Sequence, residues 1–122
     1  MTPTTGNEFE HLLLHRPPML MLTALLAQEQ DEIHCSSVIA AHNPLLQDGL
    51  FPATGGLELL AQAAGALLGV RAPGNRVRGG AIVQVKSFHV EPLRLPVGIE
   101  LHVHARYQAG SADAALFTGE VN

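Results

Sequence analysis

The stretch GLFPATGGLELLAQAAGALLGV, residues 49–70, decides the fold of this chain. It reads as a tight turn leading into a helix over residues 57–70, and nearly every side chain of that helix is apolar. A helix that is apolar on all sides must be buried. We therefore predict that its one carboxylate, Glu58, lies in the interior, where an unpaired charge costs several kcal/mol or is neutralised. Glu58 is thus a candidate site residue.

Length and composition predict a single domain over residues 1–122. Such a chain buries roughly two thirds of its unfolded surface, and with 47% hydrophobic residues and no Trp the core should be aliphatic. Cys35 is the only cysteine, so it forms no disulfide within the chain, and we expect it to be a small core residue. Residues 1–15 hold no Lys or Arg for a signal peptide, and the apolar runs are too short or too interrupted for a membrane span. We expect a cytoplasmic protein.

Charge is distributed unevenly along the chain. Residues 1–60 hold one cation against seven anions, whereas residues 61–122 hold six cations against four anions. Four of the cations fall within sixteen residues, namely Arg71, Arg76, Arg78 and Lys86. They form either an ordinary solvated loop or a patch that binds an acidic partner or a phosphate, with Arg76 and Arg78 as its candidate binding residues. The acidic balance and the scarcity of aromatic side chains exclude nucleic acid as a partner.

The rest of the pattern predicts strands around the helix. We expect a short helix over residues 7–14 and strand or extended segments over 19–26, 32–41, 81–90, 99–107 and 114–121, the last of which reaches Asn122 without a stop signal. Residues 99–107 alternate most regularly, so that strand should have one wet face. Short Pro/Gly turns imply antiparallel pairing. The predicted fold is α+β, with a curved antiparallel sheet of about five or six strands wrapped around one long buried helix.

Three segments resemble the 3-hydroxyacyl-acyl carrier protein dehydratases, a family with the hotdog fold. The sequence HRPPMLML at residues 15–22, here called the His-Arg segment, resembles their His-Arg-x-Pro-apolar segment. Pro52, Glu58 and residues 60–65 resemble their central-helix signature, and residues 85–90 with the turn at 96–98 resemble the strand and Pro-x-Gly turn that follow. The short form of residues 52–58 is most similar to the dehydratases found with aryl polyene biosynthesis genes.

The resemblance covers nearly the whole chain and implies a hotdog fold and a lyase activity. These enzymes dehydrate a 3-hydroxyacyl thioester on acyl carrier protein or coenzyme A to the trans-2-enoyl thioester, in fatty acid, polyketide or aryl polyene synthesis. The substrate is carried on phosphopantetheine, and no further cofactor is implied. A homodimer or higher homo-oligomer is also implied, with the His and the acid of one site contributed by different subunits. A sheet with a bare edge likewise invites pairing with a second copy.

Two positions depart from the family pattern. The fatty-acid dehydratases place a catalytic His in a Gly-His-Phe-Pro loop, and the corresponding residues 49–52 read GLFP here. Leu50 therefore stands where the His would be, and it cannot transfer a proton. The acidic residue that follows the apolar run in those enzymes is Thr23 in this chain.

Two histidines are candidates for the missing one. His15 is the first, because it heads the His-Arg segment and because His titrates most easily near neutral pH. It could also simply end the first helix. His42, which precedes Asn43 and Pro44, is the second candidate, and its alternative role is that of a turn residue.

Dehydration needs a base, an acid and donors for charge on the thioester oxygen. As the residue that matches the family's carboxyl, Glu58 would hold or deliver the proton for the leaving hydroxyl. The amides of Gly55 and Gly56 would be unpaired donors at the positive end of the helix dipole. Gln62 lies one turn after Glu58 and could orient it.

Histidine pairs offer a metal site only in principle. His11 and His15 are four residues apart, and His102 and His104 share a strand face with Glu100. No third ligand is clustered with either pair in the sequence, and an exposed strand face accounts for the second pair. We therefore predict no metal.

Three functions remain open on these grounds. The first is an acyl-carrier-protein-dependent dehydratase. The second is a catalytically poor hotdog subunit that binds an acyl chain or completes a heteromeric complex, which the absence of the loop His favours. The third is an acyl thioesterase, since a carboxylate on the same helix can activate water.

Overall fold

The protein is described here by a computed structural model that covers residues 4–5, 9, 12–13, 15–71, 84–89, 92–111 and 114–122. In these segments, the elements follow one another as β1 (Thr4–Thr5), β2 (Ala24–Gln28), β3 (Glu32–Val38), β4 (Leu50–Pro52), a 3₁₀ turn (Ala53–Gly55), α1 (Gly56–Arg71), β5 (Arg94–Pro96), β6 (Glu100–Gly110) and β7 (Ala115–Val121).

Five strands form one antiparallel sheet in the order β1-β2-β3-β6-β7. The helix α1 lies between β3 and β6 in the chain and packs on one face of this sheet. The strands β3 and β6 are in register from Glu32 opposite Arg106 to Val38 opposite Glu100. The predicted architecture, one long helix on an antiparallel sheet, is therefore confirmed.

The helix is buried along one stripe rather than on all sides. Leu59, Ala63, Ala66 and Leu67 are fully buried, at the three-and-four-residue spacing of one helical face. Side chains on the other faces, including Leu57, are only half-buried. The prediction of all-round burial is therefore wrong for a single chain. By length and composition alone the stretch Ala53–Arg71 could also cross a membrane, but its buried stripe makes it the core helix of this fold.

The strand β6 has the predicted wet face. Leu101, Val103 and Ala105 are buried against the helix, whereas His102 and His104 point to the outer face and are half-buried. The strand β3 follows the same rule, with Ile33 and Cys35 fully buried. Burial raises the pKa of the Cys35 thiol to about 12, so the residue is a core side chain, as predicted.

Several predicted boundaries are wrong. The expected strand over residues 19–26 begins only at Ala24, and residues 84–89, expected to lie in a strand, form none. Residues 81–83 and 90 lie outside the described residues. Of the helix expected over residues 7–14, the described part is a single turn, in which the Leu12 and Leu13 amides donate to the Phe9 carbonyl at 2.9 Å.

A small two-stranded sheet, which the sequence pattern does not predict, holds the start of the helix. It pairs β4 with β5, and the central residue of β4, Phe51, is fully buried. A Cβ added at Gly55 would lie 2.5 Å from the Phe51 ring, whereas a Cβ at Gly56 would meet nothing closer than Val121 at 3.7 Å. The two glycines therefore differ in how tightly they are packed.

We expect Gly55→Ala to lower the free energy of unfolding by about 1–3 kcal/mol, because the Phe51 ring must move within a filled core. Gly56→Ala is the matched control: it has room for the methyl group, and Ala favours the helix by up to about 1 kcal/mol. Urea unfolding measures both changes. Equal losses in the two variants would contradict this packing argument.

Candidate active site

Glu58 lies in the first turn of α1, and its side chain is 32% exposed. The prediction that it lies in the interior is therefore wrong within one chain, because the side chain is only half-buried. A carboxylate here is favoured by the positive end of the helix dipole. It is also accessible to another molecule, as an acid that acts on a substrate must be.

His15 contacts this carboxylate directly. Its Nε2 lies 3.1 Å from Oε1 of Glu58, and the two residues belong to the same chain. The Arg16 guanidinium donates to the carbonyls of Leu13 and His15 at 2.9 and 2.8 Å, which fixes the backbone around the histidine. The structure thus brings together the two residues predicted to be catalytic. The expectation that they meet only across a subunit interface is wrong for this pair.

Gln62 connects the His-Arg segment to the helix. Its side chain is fully buried. Its Oε1 accepts from the Met21 amide at 2.9 Å, and its Nε2 donates to the Met19 carbonyl at 2.7 Å and to Glu58 Oε1 at 3.1 Å. The predicted contact with Glu58 is present. Gln62 additionally satisfies the backbone of a segment that forms no strand.

The strand β3 holds the other side of the same segment. The Ser37 hydroxyl donates to the Met21 carbonyl at 2.7 Å. Thr23, the residue found in place of the family's acid, accepts from the Val38 amide at 2.9 Å through its hydroxyl and donates its own amide to Ser36 at 2.8 Å. Thr23 is therefore a structural residue that joins this segment to the sheet.

One nitrogen of His15 has no partner within the described part of the chain. Nδ1 is buried and makes no hydrogen bond there, although Nε2 on the same ring contacts Glu58. A buried polar atom without a partner costs about 1–3 kcal/mol. Such atoms are rare in folded proteins, and strain, a bound water or ion, or a catalytic role accounts for them.

The two glycines at the helix start, Gly55 and Gly56, are the predicted donors to the thioester oxygen. The Gly56 amide donates to the Ala53 carbonyl within the 3₁₀ turn. It is therefore not the unpaired donor that we predicted, because the turn before α1 supplies it with an acceptor. Gly55 is the last residue of the same 3₁₀ turn and is buried against the Phe51 ring, and its role as a donor to the substrate stays a prediction.

The second histidine candidate lies apart from this group. His42 is exposed in a turn, and among the described residues the structure shows no contact between it and Glu58. The neighbouring Asn43 accepts from the Leu45 amide at 2.9 Å, as a turn residue does. Leu50 lies in β4, in the place of the family's loop His.

The predicted cationic patch is described only in part. Arg76 and Arg78 lie outside the described residues. Arg71 pairs with Asp31, donates to the Gln30 carbonyl at 2.9 Å and lies over the Tyr107 ring at 3.9 Å. Arg71 is therefore committed to contacts within the chain. A cavity of about 320 Å³ beside it is lined by Gln28, Gln30, Val70 and Arg71, at the opposite end of α1 from Glu58.

A second polar cluster lies on the outer face of the sheet. The rings of His34 and His104 stack with centroids 3.8 Å apart, and His34 Nδ1 lies 3.0 Å from His102 Nε2. His104 Nε2 lies 2.7 Å from Glu32 Oε1. Burial lowers the pKa of His34, and the neighbouring His104 and His102 lower it further.

The sequence pattern pointed to His102 and His104 as possible metal ligands, but not to Glu32 and His34. The signal that could have found them is the pair of motifs Glu32-x-His34 and His102-x-His104, one on each of two strands. These motifs become neighbours only once β3 and β6 are placed in antiparallel register. The absence of a third ligand near His102 and His104, on which the prediction of no metal rested, therefore does not hold in the folded chain.

We expect Gln62→Leu to lower the free energy of unfolding by about 1–3 kcal/mol, because it leaves the buried Met21 amide without an acceptor. Gln108→Leu is the control, since Gln108 is exposed and bonds only the exposed Thr118 hydroxyl at 2.8 Å. Chemical denaturation monitored by circular dichroism compares the two. A loss for Gln62→Leu no larger than that of the control would contradict the role given to Gln62.

Comparisons with known proteins bear on the fold and the family of this chain. No curated protein matches the chain. A solved structure described as the dehydratase heterocomplex ApeI:P from Xenorhabdus doucetiae superposes with a TM-score of 0.80 at 19% identity, covering 100% of this chain and 82% of the matched chain. This likeness confirms the hotdog-like fold. Residues 7–122 match the ApeP-like family, described as ApeP dehydratase, and the chain therefore belongs to this dehydratase family, as the resemblance of its segments had implied.

Proposed function

We propose that this chain dehydrates a 3-hydroxyacyl thioester, carried on the phosphopantetheine of an acyl carrier protein, to the trans-2-enoyl thioester in aryl polyene synthesis. Membership of the ApeP-like family supports the reaction class. The observation that carries the site assignment is the contact between His15 Nε2 and Glu58 Oε1. The elimination of water changes no overall oxidation state, so the proposal includes no cofactor other than the carrier's own group.

The reaction needs two proton transfers. A base takes the proton from C2, and an acid gives a proton to the C3 hydroxyl, which leaves as water while the C2=C3 bond forms. We assign the base to His15 and the acid to Glu58. When the enoyl product has also left, His15 Nε2 and the Glu58 carboxylate regain their contact, and the proton taken from C2 passes from Nε2 to the carboxylate, which restores the neutral histidine and the protonated acid.

The contacts around Glu58 suggest how each atom is used. His15 Nε2 and Gln62 Nε2 both lie 3.1 Å from Oε1, which leaves Oε2 for the substrate hydroxyl. Because His15 Nδ1 is buried, a substrate reaches the ring at Nε2 and replaces its contact with Glu58. We expect the buried Nδ1 to gain a water or another polar partner in the assembled enzyme. The Gly55 amide is the proposed donor to the thioester oxygen.

We propose that a second hotdog chain covers the half-exposed side of α1. Apolar side chains on that side, such as Leu57 next to Glu58 and Leu68 further along the helix, are half-buried, and a fatty chain bound along them needs an apolar cover. Large apolar residues are also exposed elsewhere, with Leu93 at 73% and Val85 at 45%. A homodimer meets this need, and so does pairing with a related dehydratase subunit, the kind of assembly named for the Xenorhabdus doucetiae structure.

A second function is favoured by one position. Leu50 stands where the fatty-acid dehydratases carry their loop His, so the chain could be a catalytically poor subunit that binds the acyl chain for an active partner. The two functions differ in whether Glu58 and His15 matter for turnover, and the experiment below decides between them.

We expect Glu58→Gln and His15→Ala each to lower turnover by about 100-fold or more, because each removes one proton transfer. His42→Ala should leave turnover close to that of the unaltered chain. Mass spectrometry of 3-hydroxyacyl and enoyl carrier-protein species measures this for the chain alone and with a partner subunit whose own site is inactivated. Unchanged turnover in Glu58→Gln would reject the active dehydratase and favour the acyl-binding subunit.

We further expect no recovery of activity when Glu58→Gln and His15→Ala chains are mixed and allowed to exchange subunits. Both residues of a working pair lie in one chain, so neither half of a mixed dimer holds an intact pair. The two variants carry tags of different mass, so that mass spectrometry of the intact dimers shows whether their subunits have exchanged. Recovery to a substantial fraction of the unaltered activity would show that the working pair forms across the interface.

A further inference from the structure

We propose that Glu32, His34 and His104 bind a divalent first-row transition-metal ion, of which Zn²⁺ is the natural probe, on the outer face of the sheet. This inference is independent of the proposed dehydratase activity, because the cluster lies on the face opposite α1. One ligand atom from each of the three residues lies within 4.8 Å of the other two. All three side chains are half-buried, so they are already partly ordered and yet accessible from solvent.

The backbone places these ligands before any metal arrives. His34 and His104 are directly opposite each other in the β3–β6 register, and Glu32 is two residues from His34 on the same face of β3. A tetrahedral Zn²⁺ site with bonds of about 2.0–2.2 Å separates its ligand atoms by about 3.3–3.5 Å. The ligand atoms already lie within 4.8 Å of one another, so only small side-chain adjustments are needed to reach that spacing.

The donor set selects the class of ion. Two imidazoles and one carboxylate suit Zn²⁺ and its neighbours, whereas Mg²⁺ and Ca²⁺ prefer oxygen ligands alone. No thiolate competes, because Cys35, the only cysteine, is buried on the inner face. Three protein ligands leave a fourth position for water.

Outer contacts orient the ligands as they do around known zinc sites. His104 Nδ1 lies 3.0 Å from Glu120 Oε1, and Arg106 holds that carboxylate at 3.2 and 3.3 Å. Arg106 Nη1 also lies 2.9 Å from His104 Nδ1. With its proton on Nε2, His104 donates to Glu32, and with its proton on Nδ1 it donates to Glu120. Metal binding at Nε2 moves the ring proton to Nδ1, where Glu120 accepts it, giving the carboxylate–histidine–metal arrangement.

His102 completes the cluster from the other side. Its Nε2 shares a hydrogen bond of 3.0 Å with His34 Nδ1, which fixes the orientation of the His34 ring. We therefore treat His102 as a positioning residue. Its loss should weaken binding less than the loss of a ligand does.

The full chain, stripped with a chelator, is titrated with Zn²⁺ by calorimetry, and Co²⁺ is added in parallel for its visible absorption. We expect one bound ion per chain and an intense four-coordinate Co²⁺ spectrum. His34→Ala, His104→Ala and Glu32→Gln should each weaken binding by at least about tenfold, and His102→Ala by less. Zn²⁺ should also raise the melting temperature, because an ion that links β3 to β6 binds the folded chain.

Matched controls locate the site. Glu100→Gln removes a carboxylate from the same outer face of β6, and His89→Ala removes an exposed histidine outside the cluster. Both should bind as the unaltered chain does. If a histidine variant fails to fold by circular dichroism, Glu32→Gln still tests the cluster. No measurable Zn²⁺ binding, binding unchanged in the ligand variants, or binding lost only in His15→Ala would each overturn the proposal.

Discussion

The buried amide of Gln62 is the contact on which the site depends. A fully buried side-chain amide must satisfy its oxygen and its nitrogen within the protein. Gln62 does so by binding the backbone of Met19 and Met21 together with the carboxylate of Glu58. The His-Arg segment, residues 15–22, lies in no strand. Its position on the helix is therefore fixed by side chains, and the location of His15 follows from that.

This arrangement explains how an apolar helix can carry an accessible acid. The buried stripe of α1 packs on the sheet, and the residue that turns inward beside Glu58 is the neutral Gln62. The charged group stays partly exposed, so the chain avoids the cost of burying an unpaired charge. One face of α1 therefore stabilises the helix by packing on the sheet, and a different face keeps the carboxylate of Glu58 accessible.

The parts of the fold that could be predicted are those with a local signal. The apolar run of α1 and the alternation of β6 are properties of single segments, and both were predicted close to their observed limits. The β4–β5 pairing has no such signal, because each strand is three residues long and carries Pro. Likewise the apolar residues 19–22 read as a strand, although buried side chains of Gln62 and Ser37 satisfy their backbone instead.

The functional residues, like the strands and the helix, could be predicted only where the sequence itself carries a signal. Glu58, Gln62 and His15 could be named from the sequence because a family resemblance marked them, yet their contact within one chain depends on the path of the His-Arg segment. No sequence motif pointed to Glu32 and His34, because they become neighbours of His104 only when β3 and β6 pair in register. Because successive residues of a strand face opposite sides, β6 presents Val103 and Ala105 to the helix and His104 to solvent. One strand therefore supports the core helix on its inner face, while its outer face carries histidines that can take part in a separate chemistry.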